Sequence, residues 1–517
     1  MNKFYLTTAI DYVNGKPHIG HAYEKIMSDV IFRHFSQRVD DCFFLTGTDE
    51  HGIKIQKTAA SRGITPKELC DENAGSFKQC WKDSGVEYSK FIRTTDDYHV
   101  KAVQKIFKKL LDNGDIYKNK YSGLYCSGCE AFLSEKDLTE DGLCPDHLKK
   151  PEVVTEENYF FRLTKYKERI AEYIKSHPNF ILPAFRANEV LNQLENIEDI
   201  SVSRSKSSVQ WGIPVPGDDE QVIYVWIDAL SNYITALGYA GEDGLFKKYW
   251  PANVQVIGKD ILKFHAIYWP AILMSLGEEL PETIFAHGWI TIDKTKMSKS
   301  LGNVIAPADV LQGFNLDNAD ALRYYLVTSA NYGKDGNYND EDFKEKVNAD
   351  LANNIGNLLN RTLNMTVKYF DGEIKPEFVE ENSPVIERAK ETVKDVCDKF
   401  DRYELAEAAQ SIVLFADFVN KYVAENAPWT LAKEEKTTEC GKVLYNVLEA
   451  SRYIAVMLSP YCPNISAAIF AQLGLEPVLR YDKINENTLK PGKITEKSKI
   501  VPVFPRVDSE FAENKKK

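Results

Sequence analysis

The 517-residue sequence has little of several things, and each shortage excludes something. It holds nine cysteines, too few in so long a chain for a disulfide scaffold. No apolar run reaches the roughly 20 residues a membrane span takes. The most apolar stretch, 454–475, is interrupted by Pro460 and Pro463 and reads as helix ends or a loop. The first residues, MNKFYLTTAIDYVNG, lack a long apolar core and a small-residue cleavage site, so no signal or transit peptide is expected. There is no internal repeat and no low-complexity segment. Positive charge is also in deficit: 64 Lys and Arg stand against 76 Asp and Glu, a net charge of −12. That speaks against a protein that coats nucleic acid, but not against one gripping nucleic acid through a local patch, because net charge concerns the whole surface. A reducing cytoplasm is the expected location.

What is present is the composition of a folded chain: 44% hydrophobic, 12% aromatic and 27% charged. Its length suggests about three or four domains. Residues 4–10 form an apolar strand, followed by the loop Asn14, Gly15, Lys16, Pro17. A helix over 20–35 carries Ile26, Met27 and Val30 at helical spacing, and 42–46 is a second buried strand. Strand, loop, helix, strand begins a nucleotide-type α/β unit. The stretch 117–151 is rich in Cys, Gly, Asp and Lys and poor in apolar periodicity. Strand character returns at 222–226 and 254–257, so an insertion splits the α/β domain in sequence. Beyond 348 the pattern is helical: Leu351, Ile355, Leu358 and Leu359 mark one helix, Leu405 to Val423 a second, and Val443, Val447, Ile454 and Leu458 a third. The expected divisions are 1–115 and 221–290 for the halves of the α/β domain, 116–220 for the insertion, 291–347 for a connecting segment, and 348–517 for a helix bundle with a charged tail.

Two short segments carry chemistry. His18-Ile19-Gly20-His21 lies where the first loop meets the first helix. A helix N-terminus offers unpaired N–H groups and a positive dipole end, which suits phosphate, and Gly20 leaves room for a flat base. Alone, the segment reads sooner as a helix start with two solvated histidines. Lys296-Met297-Ser298-Lys299-Ser300, with Gly302 after it, places two lysines where they can follow charge moving onto a polyphosphate leaving group. Alone, it reads as a solvated loop. A third segment, Cys126-x-x-Cys129 with Cys144-Pro-Asp-His147, has the pairing of a tetrahedral zinc site that is structural because protein fills all four positions. The alternative is three thiols and a surface histidine. An insertion with so little apolar content favours zinc, because a metal supplies the folding energy its core cannot.

The ordered pair HIGH and KMSKS resembles the two signatures of class I aminoacyl-tRNA synthetases. TTAIDYVNGKPHIGH (7–21), TGTDEHG (46–52), YVWIDA (224–229), GKDI (258–261), AHGW (286–289) and APW (427–429) resemble the methionyl-tRNA synthetase family. The likeness runs to about residue 475. It implies a Rossmann-type catalytic domain split by a zinc-knuckle connective insertion, followed by an all-α anticodon-binding bundle. It implies a methionine pocket of Ile10, Tyr12, Trp226, Ala229, Tyr233 and His287, with Tyr12 and His287 near the sulfur and Asp49 holding the ammonium. Asp11 and Leu230 depart from common family choices without removing a contact. ATP is expected at His18, Gly20, His21, Gly258, Asp260 and Met297, with His18, His21, Lys296 and Lys299 stabilising the transition state. Asn357, Arg361 and Trp429 match anticodon contacts; spacing alone reads them as a surface pair and a packed tryptophan. His51 and His265 are expected to be structural. One structural Zn²⁺ per chain, with some relatives sharing the three-Cys, one-His set, and Mg²⁺ with ATP are the implied metals. The implied partners are tRNA(Met), ATP and L-methionine, with no membrane, and the chain is expected to be a monomer, having no room for a C-terminal dimerisation domain.

The implied reaction activates methionine as its adenylate with release of pyrophosphate, then transfers it to the 3′-terminal adenosine of tRNA(Met). Other readings are weaker. Isoleucine, valine and leucine enzymes of the same subclass carry a larger editing insertion than 116–220 allows, and a cysteine enzyme would place zinc in the amino-acid pocket. A small nucleotidyltransferase with the HIGH signature needs no helical domain. A non-catalytic tRNA-binding protein would not need the full set of lysines and histidines.

Overall fold

A computed structural model of the chain describes residues 2–126, 131–133, 138–145, 148–241, 244–295, 297, 303–330, 332–380 and 382–507; of residues 121, 122, 131, 132 and 154–156 it describes the backbone alone. Two compact units form, and each is discontinuous in sequence. The first comprises 1–17, 42–79 and 88–287, and the second 18–41, 80–87 and 288–517. The stretch 1–115 thus contributes to both.

The first unit is built on a seven-stranded parallel sheet. Its order is Asp11–Tyr12, Cys42–Asp49, Phe4–Thr8, Val254–Gly258, Ile284–His287, Ile181–Leu182, and Lys90–Arg93 also pairs with Cys42–Asp49. Leu6 lies opposite Val254, Phe4 opposite Cys42, Gly258 opposite His287 and Tyr12 opposite Asp49. The central strands are buried throughout, their polar residues Thr7, Thr8, Gln255 and His287 included, so both faces of the sheet are covered. The edge strand Ile181–Leu182 comes from within 116–220. The rest of that stretch holds most of two antiparallel sheets. One orders Ala131–Leu133, Ile116–Cys126, Glu152–Phe161 and Ile200–Ser201; the other orders Ser203–Ser205, Asp218–Ile223 and Pro214–Val215.

One local expectation is corrected. The run 222–226, read as a strand, crosses a boundary: the strand is Asp218–Ile223, Tyr224 is an extended helix cap, and Val225–Thr235 is a helix carrying Trp226. A short apolar run buried on all sides has no period that separates strand from helix.

The second unit contains the helix Ile19–Ser36 and the bundle helices Asn357–Phe370, Pro384–Phe400, Leu405–Asn426, Thr437–Leu458 and Pro463–Gln472. Pro460 falls between the last two and Pro463 opens the last, so the two prolines mark helix ends as the sequence suggested. Helix Pro384–Phe400 starts at a serine cap, with Ser383 Oγ accepting from Ile386 N (3.2 Å), and buries Val385, Ile386, Ala389, Val396 and Phe400 along one stripe. The end of Ile19–Ser36 joins this bundle. His34 stacks flat on Phe400 (centroids 3.7 Å apart, planes at 1°), Gln37 Nε2 donates to Ser459 Oγ (2.5 Å), and Arg38 pairs with Asp401 (2.6 Å). Midway along the same helix, buried Asp29 accepts from Arg323 (2.6 Å), whose other donors reach the carbonyls of Ser84, Gly85, Pro460 and Tyr461. Removing one partner of so deep a pair costs about 3–5 kcal/mol. Among the described residues no helix is long and apolar enough to cross a membrane.

Candidate functional site

In the first unit the sequence-predicted residues gather at the carboxyl ends of the parallel strands, where open α/β sheets bind ligands. Tyr12, Asp49, Gly258 and His287 are each the last residue of a strand, and Ile10 follows Phe4–Thr8 by two positions. Gly258 is needed for close approach: a Cβ there would stand 2.7 Å from Asp260 Oδ1 and 3.9 Å from His287 Cε1, so these three residues share one corner. Lys54 Nζ lies 5.7 Å from the Tyr12 ring centroid. Trp226, Ala229 and Tyr233 come from the helix Val225–Thr235.

The aromatic walls are held from behind. Trp226 stacks on Phe264 (3.7 Å, 7°). His265 Nδ1 lies 3.0 Å from the Ile261 carbonyl, which only accepts, so Nδ1 carries the proton. Nε2 then accepts from the Tyr233 hydroxyl at 2.7 Å. Tyr5 Oη donates to the Tyr233 carbonyl (2.7 Å), and burial pushes the Tyr5 hydroxyl well up, so it stays a donor. His265 therefore has the structural place expected of it, tied directly to a pocket residue.

In the second unit the HIGH turn folds on itself. His18 is the extended cap of helix Ile19–Ser36. Its Nδ1 accepts from Gly20 N (3.1 Å), and His21 Nδ1 accepts from His18 N (3.2 Å), a reciprocal capping box. With Nδ1 accepting, each neutral ring carries its proton on Nε2, which makes Nε2 a donor for an anion. The two rings stand 3.8 Å apart. A Cβ on Gly20 would lie 2.8 Å from the Met297 methyl, so the two signature segments meet there. Lys296 and Lys299 lie outside the described residues.

Asn357 and Arg361 are exposed on one face of helix Asn357–Phe370. Trp429 opens the helix Pro428–Lys433 after the left-handed Ala427 (φ 41°), and is 42% exposed, which is not the state of a core tryptophan. In the insertion Cys126 ends the strand Ile116–Cys126. Cys144 starts a turn in which Leu148 N donates to Cys144 O (2.8 Å), and both thiols are buried. Cys129 and His147 lie outside the described residues, so only half of the expected donor set is described.

Sequence reasoning missed two groups. Glu50 is fully buried and accepts from Thr48 Oγ1 (2.6 Å), Thr95 Oγ1 (2.5 Å), Arg93 Nε (2.6 Å) and Arg93 Nη2 (2.8 Å). Arg204, also buried, donates to Ser201 Oγ (2.9 Å) and Ser203 O (2.7 Å) and lies 4.5 Å from the Tyr224 ring centroid. It lines a small open cleft with His51, Trp211, Tyr125 and Tyr224. Nothing in SVSRSKS marks that arginine as buried.

The chain matches the family described as "tRNA synthetases class I (M)" over residues 4–150 and 147–363, and "Anticodon-binding domain of tRNA ligase" over 384–515. It is 48% identical to the "Methionine--tRNA ligase" of Clostridium perfringens (strain 13 / Type A) over 514 residues, covering 98% of this chain and 78% of that one. It is 45% identical to the protein of that name from Listeria innocua over 528 residues, covering 98% and 79%. Among solved structures it is similar to "Mycobacterium tuberculosis methionyl-tRNA synthetase in complex with methionyl-adenylate" (TM-score 0.92, 37% identity, 98% of this chain and 100% of that one). The free-state structure of the mycobacterial enzyme gives 0.86 at 34% identity, with 98% and 99% covered.

Proposed function

The chain belongs to the methionyl-tRNA synthetase family, and from that premise we propose how its residues divide the work. The enzyme is a methionine–tRNA ligase (EC 6.1.1.10) that activates L-methionine with ATP and attaches it to tRNA(Met). The methionine carboxylate attacks the α-phosphorus in line and pyrophosphate leaves, so no protein nucleophile is required. The protein positions the reactants and stabilises charge. Asp49 holds the ammonium; Ile10, Tyr12, Trp226, Ala229, Tyr233 and His287 enclose the side chain. Gly20, Gly258, Asp260 and Met297 receive the nucleotide. His18 and His21 donate from Nε2 to the phosphates, and Lys296 and Lys299 follow the charge onto the leaving group. Mg²⁺ bound with ATP would supply further neutralisation of phosphate charge. The terminal adenosine of the tRNA then takes the methionyl group, while Asn357, Arg361 and Trp429 read unstacked anticodon bases.

The observation that carries this reading is the convergence of Tyr12, Asp49, Gly258 and His287 on the carboxyl ends of one parallel sheet. ATP–pyrophosphate exchange run with each of the twenty amino acids is the test. Methionine alone should support it, and exchange with isoleucine but not methionine would overturn the pocket assignment.

Three thiolates and an imidazole suit tetrahedral zinc, and the two described thiols fit, buried in a segment with little core of its own. Zinc on Cys126, Cys129, Cys144 and His147 would stabilise the insertion and take no part in the reaction. Metal analysis should find about one equivalent per chain. A monomer is the proposed state, checked by sedimentation. The cytoplasm, where tRNA and ATP meet, is the proposed location.

A further inference from the structure

A buried carboxylate ties two walls of the amino-acid pocket together. Asp228, 1% exposed, sits on the helix Val225–Thr235 between Trp226 and Ala229. Its Oδ2 lies 2.7 Å from His51 Nδ1 and its Oδ1 2.8 Å from His99 Nε2. His99 comes from the helix Asp97–Asp112, and its Nδ1 lies 2.6 Å from Thr235 Oγ1, two turns along Asp228's own helix. A carboxylate accepts, so His51 carries a proton on Nδ1 and His99 on Nε2, and the Thr235 hydroxyl faces the other ring nitrogen of His99. Burial pushes the Asp228 carboxyl up, but the His51 charge and the hydrogen bonds from both histidines outweigh it and hold the group below its ordinary value.

His51 lies two residues after Asp49, and the link between them is stiff. Glu50 is clamped by Arg93, Thr48 and Thr95. Its carbonyl accepts from Trp211 Nε1 (2.5 Å), and its N–H donates to Thr94 Oγ1 (2.9 Å). Asp49 in turn lies opposite Tyr12 in the sheet. One wall, the strand end with Tyr12 and Asp49, is thereby fastened to the other, the helix with Trp226, Ala229 and Tyr233.

We propose that Asp228 is a positioning residue: by bridging His51 and His99 it sets the Asp49 carboxylate against the pocket helix and so governs affinity for the amino acid through its ammonium group. This rests on the assignment of Asp49 to the ammonium. Asp228→Asn keeps the shape but gives one face a donor where an acceptor stood.

The test is pyrophosphate exchange, with KM measured for methionine and for ATP, and inhibition by 4-(methylthio)butanoate, which is methionine without its amino group. Asp228→Asn should raise the methionine KM about tenfold, with ATP KM, kcat and the analogue's inhibition constant each within about twofold. Thr235→Val, a milder break at the far end of the bridge, should raise it about threefold with the same selectivity. Methionine and ATP constants rising together with a lower melting temperature would make Asp228 a packing residue and overturn the proposal, as would an analogue weakened as much as methionine. Asp49→Asn separates the two levels. If it weakens analogue and methionine alike, the ammonium assignment fails and the proposal with it. If it weakens methionine alone while Asp228→Asn does nothing, the proposal alone fails.

Discussion

The residues assigned to methionine and those assigned to the anticodon are prepared in opposite ways. Around the amino-acid pocket the polar groups are buried and bonded from behind: Tyr233 to His265, Glu50 to Arg93, Asp228 to two histidines. On the bundle, Asn357, Arg361 and Trp429 are exposed. The difference follows from the ligands. A small amino acid has few contacts with which to be distinguished, so the walls must be rigid before it arrives. A single-stranded base brings its own flat face and hydrogen-bonding edge, and needs a ring and a fork within reach. Residues 351–517 are close to neutral by count, so under the proposed assignment stacking and base-edge contacts would carry the recognition, and charging should depend only modestly on salt.

Substitutions on the two sides test that contrast. The largest effect is expected for Lys296→Ala: exchange should fall by about 100- to 1000-fold while the methionine KM stays within about twofold, because the contact matters mainly in the transition state. Equal loss of rate and binding would place Lys296 in the pocket. Next, Trp429→Ala should lower kcat/KM for tRNA charging about 10- to 100-fold, the worth of one stacked base, and leave exchange intact. A parallel fall in exchange would mean that Trp429 supports packing and that the contrast is false. A smaller change is expected for Tyr233→Phe, which deletes the hydroxyl bonded to His265. The methionine KM should rise about fivefold, near 1 kcal/mol, with charging at saturating methionine unchanged. Smallest should be the response to salt: charging kcat/KM falling only several-fold between about 50 and 200 mM, against the thousandfold or more of a protein making many phosphate contacts.

Local patterns in the sequence exposed much of this. The apolar strands, the helix after His18 and the bundle helices follow from period and from punctuation by Pro460 and Pro463. Tyr12, Asp49, Gly258 and His287 were found because they lie in strings that resemble a known family, and the sheet explains why those strings end where they do. The strand expected over 222–226 gives way before Trp226 to a helix, because a five-residue apolar run has no usable period. Arg204, Glu50 and the Asp228 bridge were invisible for another reason. Glu50 and Asp228 have partners far off in sequence, Arg93 being 43 positions from Glu50 and His51 177 from Asp228, whereas Arg204 bonds to its neighbours Ser201 and Ser203 and only the fold around it makes it buried. The same non-local contacts place residues 18–41 with the bundle, although the sequence pattern joins them to the strands on either side.

The helix Ile19–Ser36 has a consequence for anyone who would cut this enzyme into parts. One end forms the capped turn of His18 and His21; the other is stacked on Phe400, bonded to Ser459 and paired with Asp401. Its middle is fastened through Asp29 and Arg323 to the backbone at Pro460 and Tyr461. A clone ending before residue 384, which a domain map drawn along the chain would recommend as a minimal catalyst, would strip three attachments from the helix that carries the first signature. The first signature and the bundle share one helix, and the gene offers no clean place to cut between them.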